Sequence, residues 1–104
     1  MSWEIHKIRR VDMRELEFDY ESLVVICDNK TRQFTFKRFL DILRVLYNAM
    51  PNPVTSDELL AIGGYASITS LRHAFMVMKK TLGPNFPYEL KNQHGVGYMM
   101  IARK

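Results

Sequence analysis

The stretch that most restricts the fold of this chain is SITSLRHAFMVMKKTL, residues 67–82. Within it Leu71, Phe75, Met78 and Leu82 recur at steps of four, three and four. At about 100° per residue that spacing gathers them into one stripe of a helix. The same geometry turns Thr69, Arg72, His73, Met76 and Lys80 to the opposite side. Ser67 or Ser70 can cap the start, and Gly83 followed by Pro84 ends the helix. Lys79 and Lys80 fall in the last turn, where positive charge suits the carbonyl end of the helix dipole. An oily inner seam, a polar outer face and a basic end suit a helix that lies in a DNA major groove. An ordinary surface helix shares this pattern, so the flanking sequence has to decide between them.

Upstream the hydrophobic period is that of strands. Residues 3–8 (WEIHKI) and 14–18 (RELEF) alternate apolar and polar, as half-buried strands do. Residues 23–27 (LVVIC) form a β-branched run, Asp28, Asn29 and Lys30 signal a turn, and residues 32–34 return as a fourth strand. At Thr35 the period becomes helical. Thr35 is the expected cap, and Phe36, Phe39, Ile42, Leu43, Leu46 and Tyr47 form the apolar set of a helix stopped near Met50 by Pro51 and Pro53. Thr55 and Glu58 then make a capping box for a second helix over residues 56–62, with Leu59, Leu60 and Ile62 buried and Gly63 and Gly64 as the stop. After the helix at 67–82, residues 86–90 and 98–102 read as the arms of a hairpin. KNQHGVG, residues 91–97, is its tip, where Gly95 and Gly97 supply the freedom for positive φ.

The reading is therefore α+β: a winged helix-turn-helix with an N-terminal four-stranded antiparallel sheet (1–34), a three-helix core (35–83) and a C-terminal β-hairpin wing (84–104). The whole chain of 104 residues makes one domain. Cys27 lies in an apolar run, so a buried thiol in a reducing, cytoplasmic setting is expected. The longest uncharged runs, 45–56 and 59–71, are too short to span a bilayer and carry two prolines and two glycines respectively. No membrane association is expected.

Charge is unevenly distributed. Residues 1–66 hold nine Lys/Arg against ten Asp/Glu, and residues 67–104 hold six Lys/Arg against Glu89 alone. A net charge of +4 placed in this way favours a polyanionic partner for the C-terminal third. His6, His73 and His94 are scattered, no Cys/His spacing suits zinc, and no serine sits in a nucleophile elbow, so no catalytic residue, metal or cofactor is expected.

Three segments together resemble the winged-helix effector (DNA-binding) domain of OmpR/PhoB-type response regulators, most closely its ToxR/CadC-like branch. FTFKRFLDILRVLYNAMPNPVTSDELL is similar to the family's entry to helix one through its entry to helix two. SLRHAFMVMKKTLG resembles the family's S-L-x-x-A-I-x-x-L-R-K-x-L recognition helix, and HGVGYMM resembles its R-G-V-G-Y-x-L wing. The preceding strands correspond in that resemblance to the family's N-terminal sheet. There are also departures from the pattern. Met76 and Val77 stand where the family has polar or basic residues, His94 replaces the wing arginine, and Arg38 replaces an acid near the start of helix one.

The resemblance implies a transcription regulator whose partner is double-stranded DNA. With neither a receiver domain nor a membrane segment within these residues, a stand-alone regulator is expected. Arg72 and His73 are the expected base readers, with Thr69 and Met76 able to touch a thymine methyl. Lys37, Arg38, Lys79, Lys80 and Lys91 are the expected phosphate contacts. Asn92, Gln93 and His94 would place the wing on the backbone or in the minor groove. Pairing of two copies on DNA fits such domains. The alternative is a winged-helix protein-interaction module, an adaptor or antagonist of another regulator or of RNA polymerase. On that reading Met76, Val77, Tyr65 and Ile68 form an apolar docking patch.

Overall fold

In a computed structural model of the protein, residues 15–103 are described. The strand expected at residues 3–8 lies outside them. Three short strands open the described chain: β1 (Glu17–Asp19), β2 (Val24–Cys27) and β3 (Lys30–Gln33). They form an antiparallel sheet in the order β1-β2-β3. Among the described residues this sheet therefore has three strands rather than four. The β2–β3 turn is the two-residue type that Asp-Asn favours, with Asp28 and Asn29 at φ of 52° and 66°. The register pairs Cys27 with Lys30, so β3 starts two residues earlier than its alternation suggests. Val25 and Cys27 point into the core, and the expected burial of the thiol holds.

Three helices follow: α1 (Lys37–Ala49), α2 (Ser56–Gly63) and α3 (Ile68–Leu82). The start of α1 differs from expectation. Phe36, not Thr35, is the N-cap residue, and no side chain caps the helix. Phe36 is 46% exposed instead of joining the core, because it precedes the first helical turn and its ring stands edge-on to Phe39. Phe39, Leu40, Ile42, Leu43 and Leu46 form the buried face, and Tyr47 is half-buried. In α2 the cap is as read: the Glu58 backbone N–H donates to Thr55 Oγ1 at 3.2 Å, and the Thr55 hydroxyl donates to Glu58 Oε1 at 3.4 Å. Leu59 is fully buried, but Leu60 and Ile62 are only half-buried, since a helix of eight residues turns little more than one stripe inward. Ser67 caps α3 by accepting from the Ser70 backbone N–H at 3.2 Å.

The C-terminal part is a sheet rather than a lone hairpin. β5 (Tyr88–Gln93) and β6 (Gly97–Ala102) pair with each other, and β4 (Val54–Thr55), just before α2, pairs with β6 on its other edge. The order is β4-β6-β5. Asn92 and Gln93 belong to β5, leaving residues 94–96 as the turn. Only one of the two tip glycines has positive φ, Gly95 at 79°. Gly97 serves another purpose: a Cβ there would meet the backbone carbonyl oxygen of Val54, so the approach of β4 requires glycine. Leu71, Phe75, Met78 and Leu82 of α3 close the core against α1 and the inner side chains Tyr88, Leu90, Tyr98 and Met100 of the sheet. Among the described residues no helix is long and apolar enough to cross a membrane.

Candidate nucleic-acid interface

The outer face of α3 is built as its spacing predicts. Thr69, Arg72, His73, Met76, Lys79 and Lys80 are all exposed, while Leu71, Ala74, Phe75, Met78 and Leu82 are buried. No carboxylate occurs anywhere in the helix. Met76, 66% exposed, sits between the polar residues of this face. Val77 does not share its exposure: it is half-buried and packs against the core, as Tyr65 does. The apolar patch expected from Met76, Val77, Tyr65 and Ile68 is thereby divided between separate surroundings.

The basic end of α3 is fastened by two arginines. Arg32, on β3, donates from Nε to the Leu82 carbonyl at 2.7 Å, and its guanidinium lies 5.4 Å from the centre of the Phe86 ring. Arg103 donates from Nε to the Phe86 carbonyl at 3.0 Å and from Nη2 to the Gly83 carbonyl at 3.4 Å. It also stands 3.5 Å from Glu89 Oε1. A cation satisfying carbonyls at a helix end is favourable. Arg103 is therefore engaged within the protein, and the basic surface of the C-terminal third rests on Arg72, Lys79, Lys80 and Lys91 among the described residues.

The wing is held beside α3 by its base. Phe75 of α3 and Tyr98 of β6 stack with ring centres 3.7 Å apart and planes 5° from parallel. The Ser56 N–H donates to the Val96 carbonyl at 3.2 Å, which joins the wing turn to the start of α2. These contacts define a groove of about 670 Å³ with Ile68 and Arg72 on one wall and Asn92, Gln93 and His94 on the other. Asp57, in the first turn of α2, also lines it, so this groove is not uniformly positive. Lys79 and Lys91 meet across a second cleft of about 340 Å³ on the other side of the wing, together with Glu89 and Arg103.

Arg38, Thr69 and His73 line a third groove, between the start of α1 and α3. There the Arg38 guanidinium lies 4.9 Å from the Phe36 ring centre and 5.1 Å from that of Tyr65. Burial raises the Tyr65 pKa above the usual phenol value, against a smaller lowering from Arg38. The Tyr65 hydroxyl is buried without a hydrogen-bond partner. Lys37 is set apart from all three grooves, its Nζ 5.9 Å from the ring centre of Tyr20 beside the N-terminal sheet. The structure thus groups most of the expected residues around α3 and the wing but leaves Lys37 outside the cluster. Among the described residues, no three His, Cys, Asp or Glu side chains converge in a way that could hold a metal ion.

Two features escaped the sequence. β4 is two residues long, too short to show a period, although Val54 following Pro53 is where a strand could begin. The ring pair around Arg38 joins residues 36 and 65, which no local spacing relates; an aromatic two residues before an arginine at the start of a helix was the available hint.

Neither a comparison with protein-family models nor one with curated proteins gives a match. Among solved structures, a mutant form of RitR is similar, with a TM-score of 0.64 and 22% identity over 91% of this chain and 46% of that one. The chain thus spans less than half the length of that protein. At such identity the likeness concerns fold alone, and the fold is a winged-helix-like α+β arrangement of three helices and two small sheets.

Proposed function

We propose that this protein is a sequence-specific DNA-binding transcription regulator of the OmpR/PhoB winged-helix type, nearest the ToxR/CadC-like branch. The observation that carries the reading is the outer face of α3: fully exposed, free of carboxylates, and flanked by a wing fixed to the same helix. α3 enters the major groove. Arg72 and His73 address base edges, and Thr69 and Met76 touch thymine methyl groups. Lys79, Lys80 and Lys91 hold the phosphates on the wing side, with Asn92, Gln93 and His94 following the backbone or minor groove. The role is binding, without catalysis.

Selection of bound duplexes from a random DNA pool tests this directly, followed by mobility shifts with Arg72→Ala. The expected result is a consensus whose binding falls by about 1–3 kcal/mol in the mutant, with relaxed preference at the contacted position. A mutant equal to the parent on every duplex would refute the assignment of Arg72. A second reading, a protein-interaction module that binds DNA weakly or not at all, is favoured by the exposed Met76 at the centre of the face. No DNA retention at low salt would select it.

A further inference from the structure

The third groove combines an apolar floor with one guanidinium. Its floor is apolar, built from Phe36, Phe39, Ala74 and Val77. Its volume is about 570 Å³ and it is open to solvent. Arg38 and His73 line it, and no aspartate or glutamate does. Phe36 is 46% exposed, an aromatic ring left at the surface where a core position was expected. Arg38 is exposed, with its guanidinium near that ring and near the ring of Tyr65. A guanidinium held by attraction to aromatic rings keeps N–H donors for a planar acceptor such as a carboxylate.

We propose that the groove between the start of α1 and α3 is a docking site for an acidic, apolar-anchored peptide segment of a partner protein. One aromatic or aliphatic side chain of the segment seats on Phe36 and Val77, and a neighbouring Asp or Glu pairs with Arg38. Three features argue for this occupant. The apolar floor does not match a phosphate backbone, the Arg38 guanidinium matches a carboxylate, and an open groove encloses a small molecule poorly. The proposal stands independently of the DNA reading. Because Thr69 and His73 belong both to this groove and to the outer face of α3, a seated segment would obstruct that face.

The test is a selection of short random peptides displayed on phage against the full chain, with enriched sequences resynthesised and measured by fluorescence anisotropy without DNA. The expected result is a family that joins Asp or Glu to Phe, Leu or Trp. Its affinity should fall about tenfold in Arg38→Gln and in Phe36→Ser, and stay unchanged in Lys91→Ala. Circular dichroism of each variant checks that the fold is kept. No enriched family, a family lacking carboxylates, or peptides indifferent to Arg38→Gln and Phe36→Ser would overturn the proposal. Equal loss in Lys91→Ala would overturn it too, as general charge attraction. So would nuclear magnetic resonance shifts of Phe36 and Tyr65 with phenylacetate when no peptide is selected, since the occupant would then be a small ligand.

Discussion

The two sheets of this molecule have three described strands each and are attached in different ways. The N-terminal sheet is made of strands of three or four residues. Its ties to the helices include single polar contacts: Arg32 to the Leu82 carbonyl, the Tyr20 hydroxyl to Asp41 Oδ1 at 3.0 Å, and the Leu16 N–H to the Tyr47 hydroxyl at 3.3 Å. The wing sheet has two six-residue strands, a backbone ladder to β4 and an aromatic stack on α3. Its base is buried and its tip, residues 91–96, is exposed. Rigidity at the base and exposure at the tip belong together: a contact surface keeps a fixed place beside α3 only if the strands carrying it are anchored in the core.

Mutations that loosen each attachment would sharpen or break this contrast. The largest effect is expected from Phe75→Ala, which removes the buried partner of Tyr98. Denaturant unfolding should show a loss of about 3–5 kcal/mol. A loss near that of a surface change would mean that the stack does not hold the wing. Gly97→Ala comes next, at about 1–3 kcal/mol, because its methyl group meets the backbone of Val54 and β4 or β6 must shift. A parent-like melting temperature would show that the close approach of β4 is not needed. Arg32→Ala should cost about 1–2 kcal/mol, since a half-buried charged donor leaves the end of α3. If it cost more than Phe75→Ala, the order of the two attachments would be reversed. Smallest is Val96→Ser at the tip, expected within about 0.5 kcal/mol in thermal melts, because the side chain is exposed and the Val96 carbonyl still accepts from Ser56.

The outer face of α3 was legible because helix periodicity assigns faces whatever the helix packs on. Arg72, His73 and Met76 point outward as counted. Val77 is half-buried where the helix spacing alone leaves it outward, because its surroundings include Tyr65 and the start of α1, which its neighbours in sequence do not reveal. Arg103 counted as free positive charge in the composition but is bound to two carbonyls and set beside a carboxylate. Gly97, whose place in the hairpin tip suggests a turn residue, is instead a residue with no room for a side chain.

The sequence alone determined what is local: where α2 and α3 start, where all three helices stop, which stripe of α3 is oily, and where the hairpin turns. Caps, proline stops and hydrophobic period act over a few residues, so a linear chain displays them. Only the tertiary structure decided which cations remain at the surface, that a third strand completes the wing, and that Phe36, Arg38 and Tyr65 meet beside α3. Those outcomes depend on burial and on contacts between distant segments, which the order of residues does not express until the chain has folded.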